Sequence, residues 1–187
     1  MKKLIFICFL LSVSLVVFSQ QDAQKMSSKE KKAKKKADRE VYEAQLKQEL
    51  ALSIDSAQWV LEANQIANKT GAPIQVNSTL NFVAIEGENA FIQIGSNAGM
   101  GSNGVGGVSV DARVTKYEVK KNEKNGSYYI QINTSSTAGS FTINIDCNAT
   151  GEYARATVQG NTSRQVQYTG EIVPLKKSRV YKGHARF

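Results

Sequence analysis

The chain has 187 residues, 24 Lys/Arg against 16 Asp/Glu for a formal net charge of +8, two cysteines and one histidine. A lone histidine and the lack of paired Cys/His ligands exclude a structural zinc site and leave serine hydrolysis only His184 as a base. The length fits one domain that buries most of its unfolded surface, and Cys147, the one cysteine past the N-terminus, cannot close an internal disulfide.

Lys2 and Lys3 precede an apolar run, Leu4 to Phe18, interrupted only by Ser12 and Ser14. As a helix this run reaches roughly 22 Å, short of the about 30 Å hydrocarbon core of a bilayer, so it reads as a secretory signal and not as a membrane span. Val17-Phe18-Ser19 offers the cut, and the mature chain begins near Gln20. Cys8 lies inside the discarded run. The lysines that follow argue the other way, because positive charge beside an apolar segment favours cytoplasmic retention. An uncleaved signal anchor is the alternative.

Charge is concentrated at the ends. Residues 25–48 hold nine Lys/Arg against four Asp/Glu, residues 53–173 hold eight against ten, and residues 174–187 hold five against none. The first segment predicts a helix that Ser27 or Ser28 caps, with Glu30 in its first turn. Tyr42, Leu46 and Leu50 repeat every four residues as a narrow apolar stripe. The half over 39–52 is expected to dock on the sheet, and the half containing Lys31, Lys32, Lys34, Lys35 and Lys36 to fray by repulsion. Those five lysines form a basic surface. It has no interleaved aromatics for base stacking, which argues against nucleic acid; it reads either as a solvated spacer or as a surface for an anionic envelope surface or an envelope protein.

The centre alternates apolar and polar residues with a period of two. Trp59 to Ile66 reads as a first strand, although its apolar residues also allow a helix continuing from residue 52. Leu80, Phe82 and Ala84 alternate, turn through Glu86-Gly87-Glu88-Asn89, and continue with Ala90, Ile92 and Ile94. A strand near 111–120 carries Thr115, Tyr117 and Val119. Asn125-Gly126 signals a hairpin turn before Tyr128, Ile130 and Ile132. Phe141, Ile143, Ile145 and Cys147 follow, then Ala154, Ala156 and Val158, then Val166, Tyr168, Gly170 and Ile172. About eight short strands at hairpin spacing predict a mainly β domain, an antiparallel sandwich or barrel with an N-terminal helix. The organisation is 1–19 signal peptide, 20–54 lysine-rich helical extension, 55–175 β domain and 176–187 basic tail. An outer-membrane barrel is disfavoured, because Arg179, Lys182, His184 and Arg186 crowd the end of the chain and most strands are shorter than spanning strands need.

Gly99 to Gly104 matches G-x-G-x-x-G, but that motif needs a following helix whose amides meet a pyrophosphate, and here a strand follows. The glycine-rich connection Gly95–Gly107 is instead a candidate binding loop, with Gly95, Met100, Gly101 and Gly104 as its named positions. Cys147 points into the core, where a thiol is inert. Asp111, Asp146 and Glu62 have no spacing that pairs them as an acid and a base. Asn77-Ser78-Thr79 and Asn161-Thr162-Ser163 are chance-level triplets. Asp55-Ser56-Ala57 resembles an O-glycosylation acceptor known from one Gram-negative phylum and marks Ser56. No catalytic, cofactor or metal set emerges.

Trp59-Val60-Leu61-Glu62-Ala63-Asn64 after a charged helix, with Gln167-Tyr168-Thr169-Gly170-Glu171-Ile172 as last strand, resembles the exported bacterial "domain of unknown function 4251" family over about residues 40–173. The resemblance implies location and β architecture. It implies no activity, and the glycine-rich connection stands where that family commonly carries a Pro-Tyr-Phe-Gly type loop. The expected function is an exported, non-enzymatic binding or structural domain of the cell envelope, periplasmic or associated with the outer membrane. A periplasmic carrier with an apolar cavity lined by Trp59, Phe82, Phe91, Tyr117, Tyr128 and Phe141 is the alternative.

Overall fold

The computed structural model describes residues 27–68, 71–96, 105–161 and 165–184. The signal-like run Leu4–Phe18 and positions Met100, Gly101 and Gly104 lie outside the described residues. The chain falls into two units, Met1–Val41 and Tyr42–Phe187. The helix α1 (Ser28–Asp55) crosses that boundary.

Within the first unit α1 is regular throughout its lysine-rich half, where fraying was expected. A reciprocal capping box holds its start: Glu30 N donates to Ser27 Oγ at 3.2 Å, and Ser27 N donates to Glu30 Oε2 at 2.7 Å. Lys31, Lys32, Lys34, Lys35 and Lys36 are all exposed.

In the second unit nine strands form one antiparallel sheet: β1 (Gln58–Asn68), β2 (Ile74–Gln75), β3 (Phe82–Glu86), β4 (Asn89–Ile94), β5 (Val108–Lys121), β6 (Tyr128–Ser136), β7 (Gly139–Cys147), β8 (Ala154–Gly160) and β9 (Gln165–Pro174). Pairing of β1 with β9 closes eight of them into a barrel, while β2 adds two rungs to the far end of β1. Closure decides between the sandwich and the barrel. It also removes the sheet edges that a flat arrangement of these strands would expose.

Two local features allow closure. Strand β1 carries an irregularity between Ala63 and Gln65, opposite Gly170 on β9. A Cβ at position 170 would collide with the Glu62 carbonyl oxygen, so only glycine lets the two strands approach this closely. The β3–β4 hairpin turns in two residues, with Gly87 at φ +67°.

The helix closes one end of the barrel. Leu50 and Ile54 join Trp59, Leu61, Tyr128, Ile130 and Ile145 in the main core. Trp59 Nε1 donates to Tyr117 Oη at 3.0 Å, and Tyr117 Oη donates to the Ile54 carbonyl at 2.8 Å. That hydroxyl gives the helix C-terminus a partner inside the domain. The docking stripe is Leu46, Leu50, Ser53 and Ile54. Tyr42, expected on it, is 55 % exposed.

A second, smaller core lies outside the barrel wall: Val60, Phe82, Ala84 and Phe91, with Val173, Leu175 and Val180 packed against it. Residues 176–187 were expected as a separate basic tail. Instead Leu175–Lys177 form one 3₁₀ turn, Lys177 pairs with Glu49 at 2.6 Å, and residues 178–184 lie along β3 and β4, covering this outer core.

Candidate functional site

The end opposite the helix is where β4, β8 and β1 end and β5, β7 and β9 begin. Inward positions near this rim are Ile92 and Ile94, Val108 and Val110, Phe141, Val158 and Gly160, Val166 and Tyr168. They line an apolar cavity of about 320 Å³. Two neighbouring hollows of about 360 and 260 Å³ share Ile66, Ile74 and Ile94. Ile74 and Val108 on the rim are 59 % and 53 % exposed. Below this cup the barrel is filled: Trp59, Ile130, Ile132, Ile143 and Ile145 are inaccessible to solvent.

Among the described residues, those around the three hollows include no Asp, Glu, Lys, Arg or His. Tyr168 is the one titratable group, and complete burial drives its phenol far above the usual range, so it is neutral throughout the physiological range. The described lining of the cup suits an uncharged apolar group. An apolar cavity near 150 Å³ takes benzene. This one is about twice that size, at the lower end of ligand pockets.

Residues singled out by sequence are dispersed. Gly95 sits at the neck of the connection it opens, where the buried Asn81 amide brackets it: Gly95 N donates to Asn81 Oδ1 at 3.0 Å and Asn81 Nδ2 donates to Gly95 O at 3.1 Å. Strand β5, not a helix, follows the G-x-G-x-x-G stretch. Ser56 is exposed in the turn after α1, with its hydroxyl donating to Leu52 O at 2.7 Å. It borders a shallow cleft of about 590 Å³ beside Leu52 and Leu175. That cleft is larger than the cup but lies open on the surface and includes the charged Glu49 and Lys177.

Asp111 and Asp146 are exposed on β5 and β7. Glu62 lies on β1, accepting from Ser178 Oγ at 2.6 Å. No register brings the three carboxylates together. His184 is exposed. Burial pushes the Cys147 thiol up to about 11, the state of an inert core cysteine. Among the described residues no group of three or more His, Cys, Asp or Glu could hold a metal ion, and no helix is long and apolar enough to cross a membrane.

Of the aromatics expected to line a cavity, only Phe141 does. Trp59, Tyr117 and Tyr128 fill the helix end of the core, while Phe82 and Phe91 stack at 5.8 Å on the outer wall. The aliphatic cup and the buried amides of Asn81 and Gln93 were not foreseen. Ile92/Ile94 and Val108/Val110 carried the alternation of inward residues, but nothing local says which rung reaches the open end.

The fold defines a small closed antiparallel barrel with a helix at one end and, among the described residues, an apolar cup at the other. The family described as "Domain of unknown function (DUF4251)" matches residues 41–172, and the chain belongs to it. A crystal structure of a DUF4251 family protein from Bacteroides eggerthii DSM 20697 is similar, with 26 % identity and a TM-score of 0.60 over 71 % of this chain and 90 % of that one. No curated protein matches the chain.

Proposed function

We propose that this protein is an exported, non-enzymatic binding domain of the bacterial cell envelope whose barrel mouth takes an uncharged apolar group. The observation that carries the proposal is the cup of about 320 Å³ lined by aliphatic side chains, Phe141 and one neutral tyrosine. A concave apolar site with one or two polar atoms is the usual form of a small-molecule pocket. Export rests on Lys2, Lys3 and the run Leu4–Phe18. The test uses N-phenyl-1-naphthylamine, an uncharged three-ring fluorophore. The intact domain should bind it with a rise in fluorescence. Gly160→Leu should abolish binding while keeping the fold, because a Cβ at 160 meets only the Phe141 ring, at 3.4 Å, and the rest of the side chain enters the cup. Equal binding by both proteins would place the probe elsewhere and refute the site.

The lysine-rich arm supports a second property, association with anionic envelope material. Its five lysines stand exposed on a capped helix, and each contributes up to about 1 kcal/mol near an anionic surface before screening. Deleting residues 25–36 should reduce co-sedimentation with anionic vesicles at low salt. Unchanged sedimentation would remove the idea.

A further inference from the structure

The C-terminal segment is held against the barrel wall in the manner of a bound peptide. Ser178, Val180 and Lys182 face the wall while Arg179 and Tyr181 face solvent, the alternation of an extended strand. Gln93, wholly buried on the outer face of β4, reads the main chain of the segment. Its Nε2 donates to the Tyr181 carbonyl at 2.9 Å, and its Oε1 accepts from Gly183 N at 2.8 Å. The remaining capacity of that amide is filled by neighbours on the barrel wall: Nε2 also donates to Leu80 O at 3.1 Å, and Oε1 accepts from Ser109 Oγ at 2.9 Å. Tyr181 N donates to Thr79 O at 2.9 Å.

Three further contacts supply sequence selectivity. Ser178 Oγ and Arg179 N both donate to Glu62 Oε1. Val180 packs on the outer core, and Lys182 pairs with Glu86 while its Nζ lies 5.4 Å from the centroid of the Phe91 ring. Main-chain bonds for affinity with alternate side chains for specificity is the logic of strand-type peptide recognition.

We infer that this outer groove is a recognition site for an extended Ser-x-Val-x-Lys-Gly segment, and that its partner in trans is the C-terminus of a second copy of this chain. The same contacts then form reciprocally, and the turn Leu175–Lys177 acts as the hinge across which tails exchange. Within one molecule the tail is tethered at an effective concentration on the order of millimolar. Exchange is therefore suppressed in dilute solution and appears as the chain concentration approaches that value.

The test opens the groove in the full chain with Val180→Asp plus Lys182→Glu and adds a labelled peptide of residues 176–187. The open-groove variant should bind the peptide, the wild-type chain far more weakly, and a peptide carrying the Lys182→Glu change should lose about tenfold or more in affinity. The wild-type chain at millimolar concentration should also yield a dimer by sizing that the open-groove variant does not form. A folded open-groove variant that ignores the peptide overturns the site. Peptide binding with a wild-type chain that stays monomeric overturns the second copy as its occupant. If the double variant is unfolded, Lys182→Ala takes its place. Loss of folding there too would make the segment inseparable from the barrel and overturn the inference.

Discussion

Tyr117→Phe tests how the helix is joined to the barrel. The hydroxyl it deletes accepts from Trp59 Nε1 at 3.0 Å and donates to the Ile54 carbonyl at 2.8 Å. Trp59 and Ile54 are both inaccessible to solvent; the Ile54 carbonyl keeps the Ala57 amide as a donor at 3.0 Å, so the substitution orphans one buried group, the Trp59 indole N–H. Leaving that one donor unpaired costs about 1–2 kcal/mol, a drop in melting temperature of roughly 2–8 °C for a domain of this size. Trp59 is the only tryptophan, so urea unfolding followed by its fluorescence reads the same group that loses its acceptor. The slope against urea should hold while the midpoint falls. The control is Tyr129→Phe, whose exposed hydroxyl bonds Asn144 Oδ1 at 3.2 Å and should cost little. A loss below about 0.5 kcal/mol in Tyr117→Phe, within the range of ordinary surface changes, would show that the hydroxyl does not anchor the helix end.

Gly170→Ala should cost about 3 kcal/mol or more, because its Cβ meets backbone atoms of Glu62 and Ala63 and β1 cannot yield without opening the barrel. A wild-type denaturation midpoint would refute this account of closure. Alkaline pH should destabilise the fold. Desolvation raises Cys147 from 9.0 to about 11 and Tyr117 from 10.0 to about 12, so the folded state keeps protons that the unfolded chain loses. The contribution is fully present below pH 9. It declines as pH rises through these values, by at most about 1.4 kcal/mol per pH unit for each group. Cys147→Ala should move the onset from about pH 9 to about pH 10, read from urea midpoints across that range. An unmoved onset would clear the thiol of any part in it.

The pattern of residues alone determined the β class, the hairpin rhythm and the helix ahead of it. Phe141, Ile143, Ile145 and Cys147 alternate with polar residues along a half-wet strand, and alternation of that kind has one structural meaning. The acidic centre with basic ends was equally plain. The family resemblance rested on Trp59 to Asn64 and on Gln167 to Ile172, and the second of these contains the glycine on which barrel closure depends.

What the sequence could not assign is which face was which where both are buried. In β3, Phe82 and Ala84 look like the inner row, yet Val83 and Ile85 point inward while Phe82 packs under the chain's own C-terminus. A period of two separates two faces without saying which is the core, and a segment from 90 residues away covered the outer one. The same holds for Lys177, Lys182 and Glu62. As residues they are a basic tail and a solvated carboxylate. Their pairing exists only because the last strand delivers the chain back across β1, β3 and β4. The apolar mouth is likewise a product of closure, since only a ring of strands turns separate aliphatic side chains into the wall of one cup.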